Sequence, residues 1–267
     1  MSGPPHRPRK RFGQHFLEAA WVTKIIDSLH PTKDETFLEI GPGRGALTRP
    51  LASQAGRVIA VEIDRDLAGL LLDQQLSNVR VIQADFLDVD LAEALRDEPK
   101  PIRVAGNLPY NVSSPILFTL LDAADDGRVF SDATLLPQKE VADRLVARPG
   151  RKEYGVLAIQ VALTADVEQL LTLPPGAFRP PPKVTSAVVR LRFRPPVVDV
   201  GDPRVFERIV RGIFLQRRKT VANALRPVAD GLGRGTAELL ERAQVDGKLR
   251  PEALTLDEIA RLSRAVL

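Results

Sequence analysis

The chain predicts an α/β protein with a mostly parallel sheet, followed by a small helical domain. Three observations carry this reading. Short Val- and Ile-rich runs alternate with helix-like stretches from Phe37 to about Leu136, two alternating apolar segments then flank proline clusters, and everything beyond Pro196 shows helical spacing alone. Phe37-Leu38-Glu39-Ile40 reads as a buried strand, broken by Gly41-Pro42-Gly43-Arg44-Gly45 and followed by a helix through Leu51. Arg57–Ile63 is the second strand, with a helical stretch near Leu67–Leu76. Val79–Ile82, Ile102–Ala105 and Ala133–Leu136 supply the third, fourth and fifth. Helices are expected at Ser113–Leu121 and Lys139–Val146. Val161–Leu171 and Val184–Phe193 alternate apolar and polar residues around Pro174-Pro175 and Pro180-Pro181-Pro182, which predicts an antiparallel pair closing the sheet. Arg194-Pro195-Pro196 is a linker, and Pro203–Leu215, Lys219–Leu225, Thr236–Ala243 and Thr255–Val266 are the expected helices beyond it. The division is a basic arm at 1–11, an α/β domain at 12–194 and a helical domain at 195–267.

Composition narrows the function classes. A chain of 267 residues buries a sizeable core, and with no cysteine it has no disulfide, thiolate metal site or thiol nucleophile. His6, His15 and His30 are its only histidines, so no histidine-built metal site is expected. No apolar run approaches the ~20 residues needed to cross a bilayer. The Pro- and Arg-rich start does not resemble a secretory signal, so a cytoplasmic protein is expected. Charge is uneven along the chain. Residues 1–11 carry four basic and no acidic side chains, and residues 12–173 carry 16 basic against 24 acidic, a net of −8. Residues 174–226 carry 12 basic against three acidic, a net of +9. An acidic body with a basic arm and a basic late segment implies a polyanionic partner, and nucleic acid fits best.

The glycine loop and three strand ends point to a cofactor. Gly41, Gly43 and Gly45 lie between a strand and a helix, where backbone must approach a ligand closely. Glu62, at the end of the next strand, is spaced to accept from two ribose hydroxyls. Gly41-x-Gly43-x-x-Ala46 also satisfies a dinucleotide fingerprint, which keeps a nicotinamide cofactor open. Against it, Glu39 near the loop would repel a pyrophosphate but suits a cationic amino-acid moiety held through water. Asp85, at the third strand's end, is placed for an adenine amino group, or caps the turn at Phe86-Leu87. Glu39, Glu62 and Asp85 together match the amino acid, ribose and adenine of S-adenosylmethionine, a cationic molecule suited to an acidic pocket.

Asn107-Leu108-Pro109-Tyr110 sits at the carboxyl end of the fourth strand. It is either a strand-to-helix turn or a device for holding a planar base while accepting hydrogen bonds from its exocyclic amine. The segments Arg11–Leu17, Glu39–Thr48, Asn107–Phe118, Gln138–Leu145, Phe178–Leu191 and Phe214–Leu225 resemble the ribosomal RNA adenine dimethyltransferase family in order along nearly the whole chain. Pro180-Pro181-Pro182-Lys183-Val184 and Gln216-Arg217-Arg218-Lys219-Thr220 are more similar to its small-subunit branch than to the erythromycin-resistance methylases. Arg179, Thr185 and Pro137 depart from the usual pattern.

The resemblance implies a seven-stranded methyltransferase sheet with an all-helical C-terminal domain. It also implies two methyl transfers to each of two adjacent adenines in the 3′-terminal hairpin of small-subunit rRNA, with S-adenosylmethionine as donor and no metal. By matching position, His15, Leu17, Gly41, Glu62, Asp85 and Asn107 would contact the cofactor. The Asn107 amide oxygen and the Leu108 carbonyl would accept from the adenine amine, and Pro109 would hold Leu108 extended. The base is expected to be extruded and stacked between Tyr110 and Phe178. Arg204, Arg208 and Arg211 share a helical face and, with Arg217, Arg218 and Lys219, are expected to contact RNA phosphates. The arm Arg7–Arg11 joins them. The expected partner is the small ribosomal subunit, bound by a monomer late in assembly. A non-catalytic RNA-binding factor for ribosome assembly or transcription and a nucleotide-dependent oxidoreductase are the competing readings; the second leaves the basic domain unexplained.

Overall fold

A computed structural model describes residues 15–110, 112–124 and 127–267. The arm at 1–11 and the Arg11–Gln14 part of the first family motif lie outside the described residues. The strands are β1 (Phe16–Leu17), β2 (Thr36–Ile40), β3 (Arg57–Glu62), β4 (Val79–Gln83), β5 (Ile102–Gly106), β6 (Phe130–Leu135), β7 (Ala165–Leu173), β8 (Phe178–Arg179) and β9 (Ser186–Phe193). The helices are α1 (Ala19–Leu29), α2 (Thr48–Gln54), α3 (Arg65–Leu72), α4 (Leu91–Ala94), α5 (Ser113–Ala123), α6 (Lys139–Leu145), α7 (Val156–Thr164), α8 (Pro203–Leu215), α9 (Val221–Gly231), α10 (Thr236–Ala243) and α11 (Leu256–Arg264).

Seven strands form one sheet in the order β4-β3-β2-β5-β6-β9-β7, and β1 pairs with β8 in a separate ribbon. The pairs β2/β3, β3/β4, β2/β5 and β5/β6 are parallel, while β9 runs antiparallel to β6. β2 is buried along its whole length and β3 everywhere except Arg57, as expected of central parallel strands covered on both faces. Because β2 is flanked by β3 on one side and β5 on the other, the strand order reverses there. The crevice at the carboxyl ends of β2 and β5 is therefore the place where an open α/β sheet binds ligands.

The chain divides into two compact units. Residues up to Ala142 join Asp166–Arg194, and Asp143–Ala165 joins Pro195–Leu267. The core of the first includes Ile25, Phe37, Leu51, Val58, Ala105 and Phe178. The core of the second gathers Tyr154, Ile159, Phe206, Ile213, Leu225, Leu239 and Ile259. Two expectations are corrected here. The sequence pattern puts all of 12–194 in one domain and a strand from Val161, but Val156–Thr164 is a helix belonging to the second unit, and the strand starts at Ala165. Its sequence, VLAIQVALT, is apolar on nearly every side, so it lacks the one-sided stripe by which helices are recognised. Similarly, α9 continues past Leu225 through Pro227, since Val228 and Ala229 carry its buried face onward. Among the described residues, no helix is long and apolar enough to cross a membrane.

Candidate functional site

Four segments meet at the carboxyl ends of β2, β3 and β5 to line one cleft: His15–Leu17, the glycine loop with Glu39, the pair Glu62-Ile63, and Asn107–Tyr110. The glycine loop takes its shape from backbone that L side chains rarely adopt, with φ of +67° at Gly41 and +59° at Gly43. A Cβ on Gly43 would also stand 3.3 Å from the Phe16 ring. Glu62 braces this loop. Its Oε2 accepts from the Gly43 N–H and its Oε1 from the Asp64 N–H, each at 2.9 Å. Burial raises its pKa, opposed by those backbone donors. Each oxygen keeps a second lone pair for a hydroxyl.

Glu39 is 1% exposed, and its Oε2 has no hydrogen-bond partner, as is true of the neighbouring Thr48 hydroxyl. Burial pushes its carboxyl up to about 8, and the charge of Glu62 adds to the rise. A buried carboxyl with one orphaned oxygen beside the glycine cradle is what a cationic ligand would satisfy. Next to the cleft, Ile40, Val61, Ile63, Ala84, Phe86, Val112 and Ile116 line an apolar slot with Asp85 at its side. Asp85 also caps the turn at Phe86–Asp88, its Oδ1 accepting from the Leu87 N–H at 3.1 Å. An apolar slot edged by one carboxylate suits a purine. These residues fit S-adenosylmethionine, which Glu39 could hold at the amino acid, Glu62 at the ribose and Asp85 at the adenine. Gly45 is a correction. It does not line the cleft; its φ of +77° and a Cβ position 2.8 Å from Leu71 make it a packing residue between the loop and α3.

Asn107 follows β5 directly, and its orientation is fixed. Nδ2 donates to the His15 carbonyl at 2.8 Å, so Oδ1 is left as the acceptor. Leu108 is 1% exposed and lines the cleft together with Pro109 and Tyr110. The Tyr110 hydroxyl bonds Ser186 Oγ at 2.8 Å, and burial raises its pKa, which keeps the phenol neutral. His15 stacks on the Tyr110 ring with centroids 5.5 Å apart and planes 25° from parallel, while its Nδ1 lies 2.7 Å from the Pro180 carbonyl. His15 thus links the two halves of the cleft through backbone and ring, a role that sequence did not reveal. Ser186 and Thr48 were missed as well: both fall inside segments that resemble the family, but nothing local marks either hydroxyl.

Phe178 is the second correction. It is fully buried in the core of the first unit, its strand paired with β1 through Leu17↔Phe178, and it does not line the cleft. As placed, it packs in the core beside Leu17 and does not offer a ring to a base. Phe178→Ala should therefore lower stability by about 3–5 kcal/mol. Denaturant unfolding checks this, and an unchanged midpoint with impaired RNA binding would restore a stacking role. Arg179, one of the family departures, pairs with Glu18 at 2.8 Å.

The basic residues of the second unit are less uniform than their spacing suggests. Arg204 is exposed at the start of α8, but Arg208 donates to the Gly231 carbonyl at 2.8 Å and Arg211 pairs with Glu207 at 2.7 Å. Arg217 is a correction: its Nε meets Glu252 at 2.6 Å, so it is engaged within the protein. Arg218 and Lys219 are exposed. Among the described residues, no cluster of three or more His, Asp or Glu stands ready to hold a metal ion.

Comparison with known proteins adds independent findings. Residues 5–265 match the family described as ribosomal RNA adenine dimethylase. The chain is 45% identical to ribosomal RNA small subunit methyltransferase A of Geobacter sulfurreducens, over 100% of this chain and 98% of that protein. It is 43% identical to the protein of the same name from Pseudomonas aeruginosa, over 97% and 94% of the two chains. Among solved structures, a dimethyladenosine transferase from Plasmodium falciparum superposes with a TM-score of 0.78 at 25% identity, covering 93% of this chain and 96% of that one. The 23S rRNA methyltransferase ErmE gives 0.67 at 27% identity, covering 94% and 99%.

Proposed function

The chain belongs to the ribosomal RNA adenine dimethylase family, and from that premise we propose that it dimethylates N6 of two adjacent adenosines in the 3′-terminal hairpin of small-subunit rRNA. It is an rRNA adenine dimethyltransferase with S-adenosylmethionine as methyl donor. Small-subunit rRNA as the substrate is supported by the names of its relatives and the cationic second unit; the hairpin, the late-assembly timing, action as a monomer and a cytoplasmic location are our reading. The observation that carries the chemistry is the fixed Asn107 amide, whose nitrogen is held by the His15 carbonyl and whose oxygen is left to accept.

When bound, S-adenosylmethionine supplies a methyl group on a sulfonium. The chain's own residues must make a poor nucleophile competent, since an adenine amine delocalises its lone pair into the ring. Asn107 Oδ1 and the Leu108 carbonyl accept its two N–H bonds and draw the nitrogen toward tetrahedral geometry. Pro109 contributes no N–H and restricts Leu108 to extended backbone, so the carbonyl stays turned to the amine. Tyr110 offers a ring for the extruded base, with its hydroxyl anchored by Ser186 and its tilt set by His15. Neither Asn107 nor the neutral Tyr110 phenol is a base at neutral pH, so the proton leaves to water after transfer. The gain is positioning and electrostatics, without a covalent intermediate. Methyl incorporation from labelled cofactor into unmodified small subunits tests the reading. Label confined to two neighbouring adenosines near the 3′ end supports it, and label elsewhere or none refutes it.

A further inference from the structure

We propose that the segment Arg148–Lys152 and the turn Gln216–Lys219 form a single phosphate-binding surface of the second unit, with Arg217 as the clamp that joins them. This rests on the rRNA-methyltransferase reading above. Both segments belong to the second unit, although the sequence pattern assigns the first to the catalytic domain. The clamp is built from one guanidinium. Arg217 Nε binds Glu252 Oε2 at 2.6 Å, and its Nη2 donates to the Lys152 carbonyl and, at 3.4 Å, to the Arg151 carbonyl. Glu252 closes the loop from the other side, its carbonyl accepting from the Gly150 N–H at 2.7 Å.

The segment is further pinned by its own turns. Arg151 N–H donates to the Arg148 carbonyl, and the N–H of Tyr154, which is buried in the core, donates to the Arg151 carbonyl. Held in this way, the side chains of Arg148, Arg151 and Lys152 are exposed beside exposed Arg218 and Lys219. Glu153 is the exposed carboxylate next to them. Five exposed cations on two joined segments offer positive charge to a nucleic-acid backbone, and such contacts position a duplex without reading its sequence. Arg217 has its charge met by Glu252 and acts by holding the other cations in register.

The test is Arg151→Ala/Lys152→Ala, which leaves in place both carbonyls that the clamp uses. Binding to an unmodified small-subunit rRNA transcript is measured across salt concentration, alongside cofactor affinity and thermal midpoint. Removing one phosphate contact makes the log–log salt dependence shallower by roughly 0.7–0.9, so removing two should take away about 1.4–1.8. The affinity deficit of the variant should then shrink about tenfold between ~50 and ~200 mM salt, with cofactor affinity and midpoint unchanged. If the parent protein binds with steep salt dependence and the variant matches it in affinity and slope, the surface is wrong while the functional reading stands. A parent protein that does not bind the transcript overturns both.

Discussion

Asn107→Ala should retain cofactor affinity to within about tenfold while kcat for methyl transfer falls by at least ~10²-fold. The first half follows from the single hydrogen bond that the substitution removes, from Nδ2 to the His15 carbonyl. Such a bond contributes about 0.5–1.5 kcal/mol net, or up to roughly a factor of ten. The second half follows from geometry at the reacting nitrogen. Removing one preorganised hydrogen-bonding partner from the site of developing charge typically lowers kcat by ~10²–10³, and Asn107 Oδ1 is the only side-chain acceptor in the Asn107–Tyr110 turn that faces this role. Asn107→Asp separates the two duties of the amide. A carboxylate still accepts, but it cannot donate to the His15 carbonyl and would face it as a second acceptor, loosening β1 against the cleft. The aspartate variant should therefore lose cofactor affinity as well as turnover. Single-turnover methylation and calorimetric cofactor binding separate these outcomes, and Asn107→Ala turnover within tenfold of wild type would remove the amide from the mechanism.

Much of this architecture was legible because it is written in short-range pattern. The runs at Phe37–Ile40, Val79–Ile82 and Ile102–Ala105 fall inside observed strands, and Pro203–Leu215 and Thr236–Ala243 coincide with helices. The glycine loop, Glu39, Glu62 and Asn107–Tyr110 were marked by their places at strand ends, and the fold brings them to one cleft. What was not legible depends on partners far along the chain. Phe178 looked like a loop aromatic because prolines surround it; its burial comes from pairing with Leu17, 161 positions earlier. Arg217 reads as one of three adjacent cations, and only folding brings Glu252 to it. Ser186 carries no local signal, since its meaning is the Tyr110 hydroxyl 76 positions away. Asp85 is ambiguous even in the fold, because a carboxylate has enough lone pairs both to cap Leu87 and to face a ligand.

Raising the pH from about 5 to about 9 should destabilise the cofactor-free protein much more than its Glu39→Gln variant. Glu39 lies on β2, nearly without solvent, facing the Thr48 hydroxyl from α2 and the Glu62 carboxylate from β3. Burial is the main cause that lifts its pKa from an ordinary 4.5 to about 8, and Glu62 adds to it. The direction of the effect follows from where the proton resides. Below pH 4.5 folded and unfolded chains both hold it, and stability does not respond to pH through this group. Between 4.5 and about 8 the folded chain keeps a proton that the unfolded chain has lost, so stability falls as pH rises. Above that window the loss is complete. At 1.36 kcal/mol per pH unit it is on the order of 5 kcal/mol, a large part of the stability of a typical domain. Glutamine keeps the shape of the protonated acid and has nothing to ionise. The raised pKa of Glu62 acts in the same direction in both proteins, so the difference between them reads Glu39 together with its coupling to Glu62. Unfolding curves for the two should coincide near pH 5 and separate steadily above it, with the glutamine variant more stable at pH 9. A cationic ligand reverses the logic, because positive charge beside Glu39 favours its ionised form. The wild-type profile should therefore flatten when S-adenosylmethionine is added, and calorimetry in buffers of different ionisation enthalpy should register proton release on binding near pH 7. The glutamine variant should bind the cofactor more weakly and release no such proton; parallel unfolding profiles with equal proton release would show that Glu39 is neither buried as an acid nor turned toward the ligand.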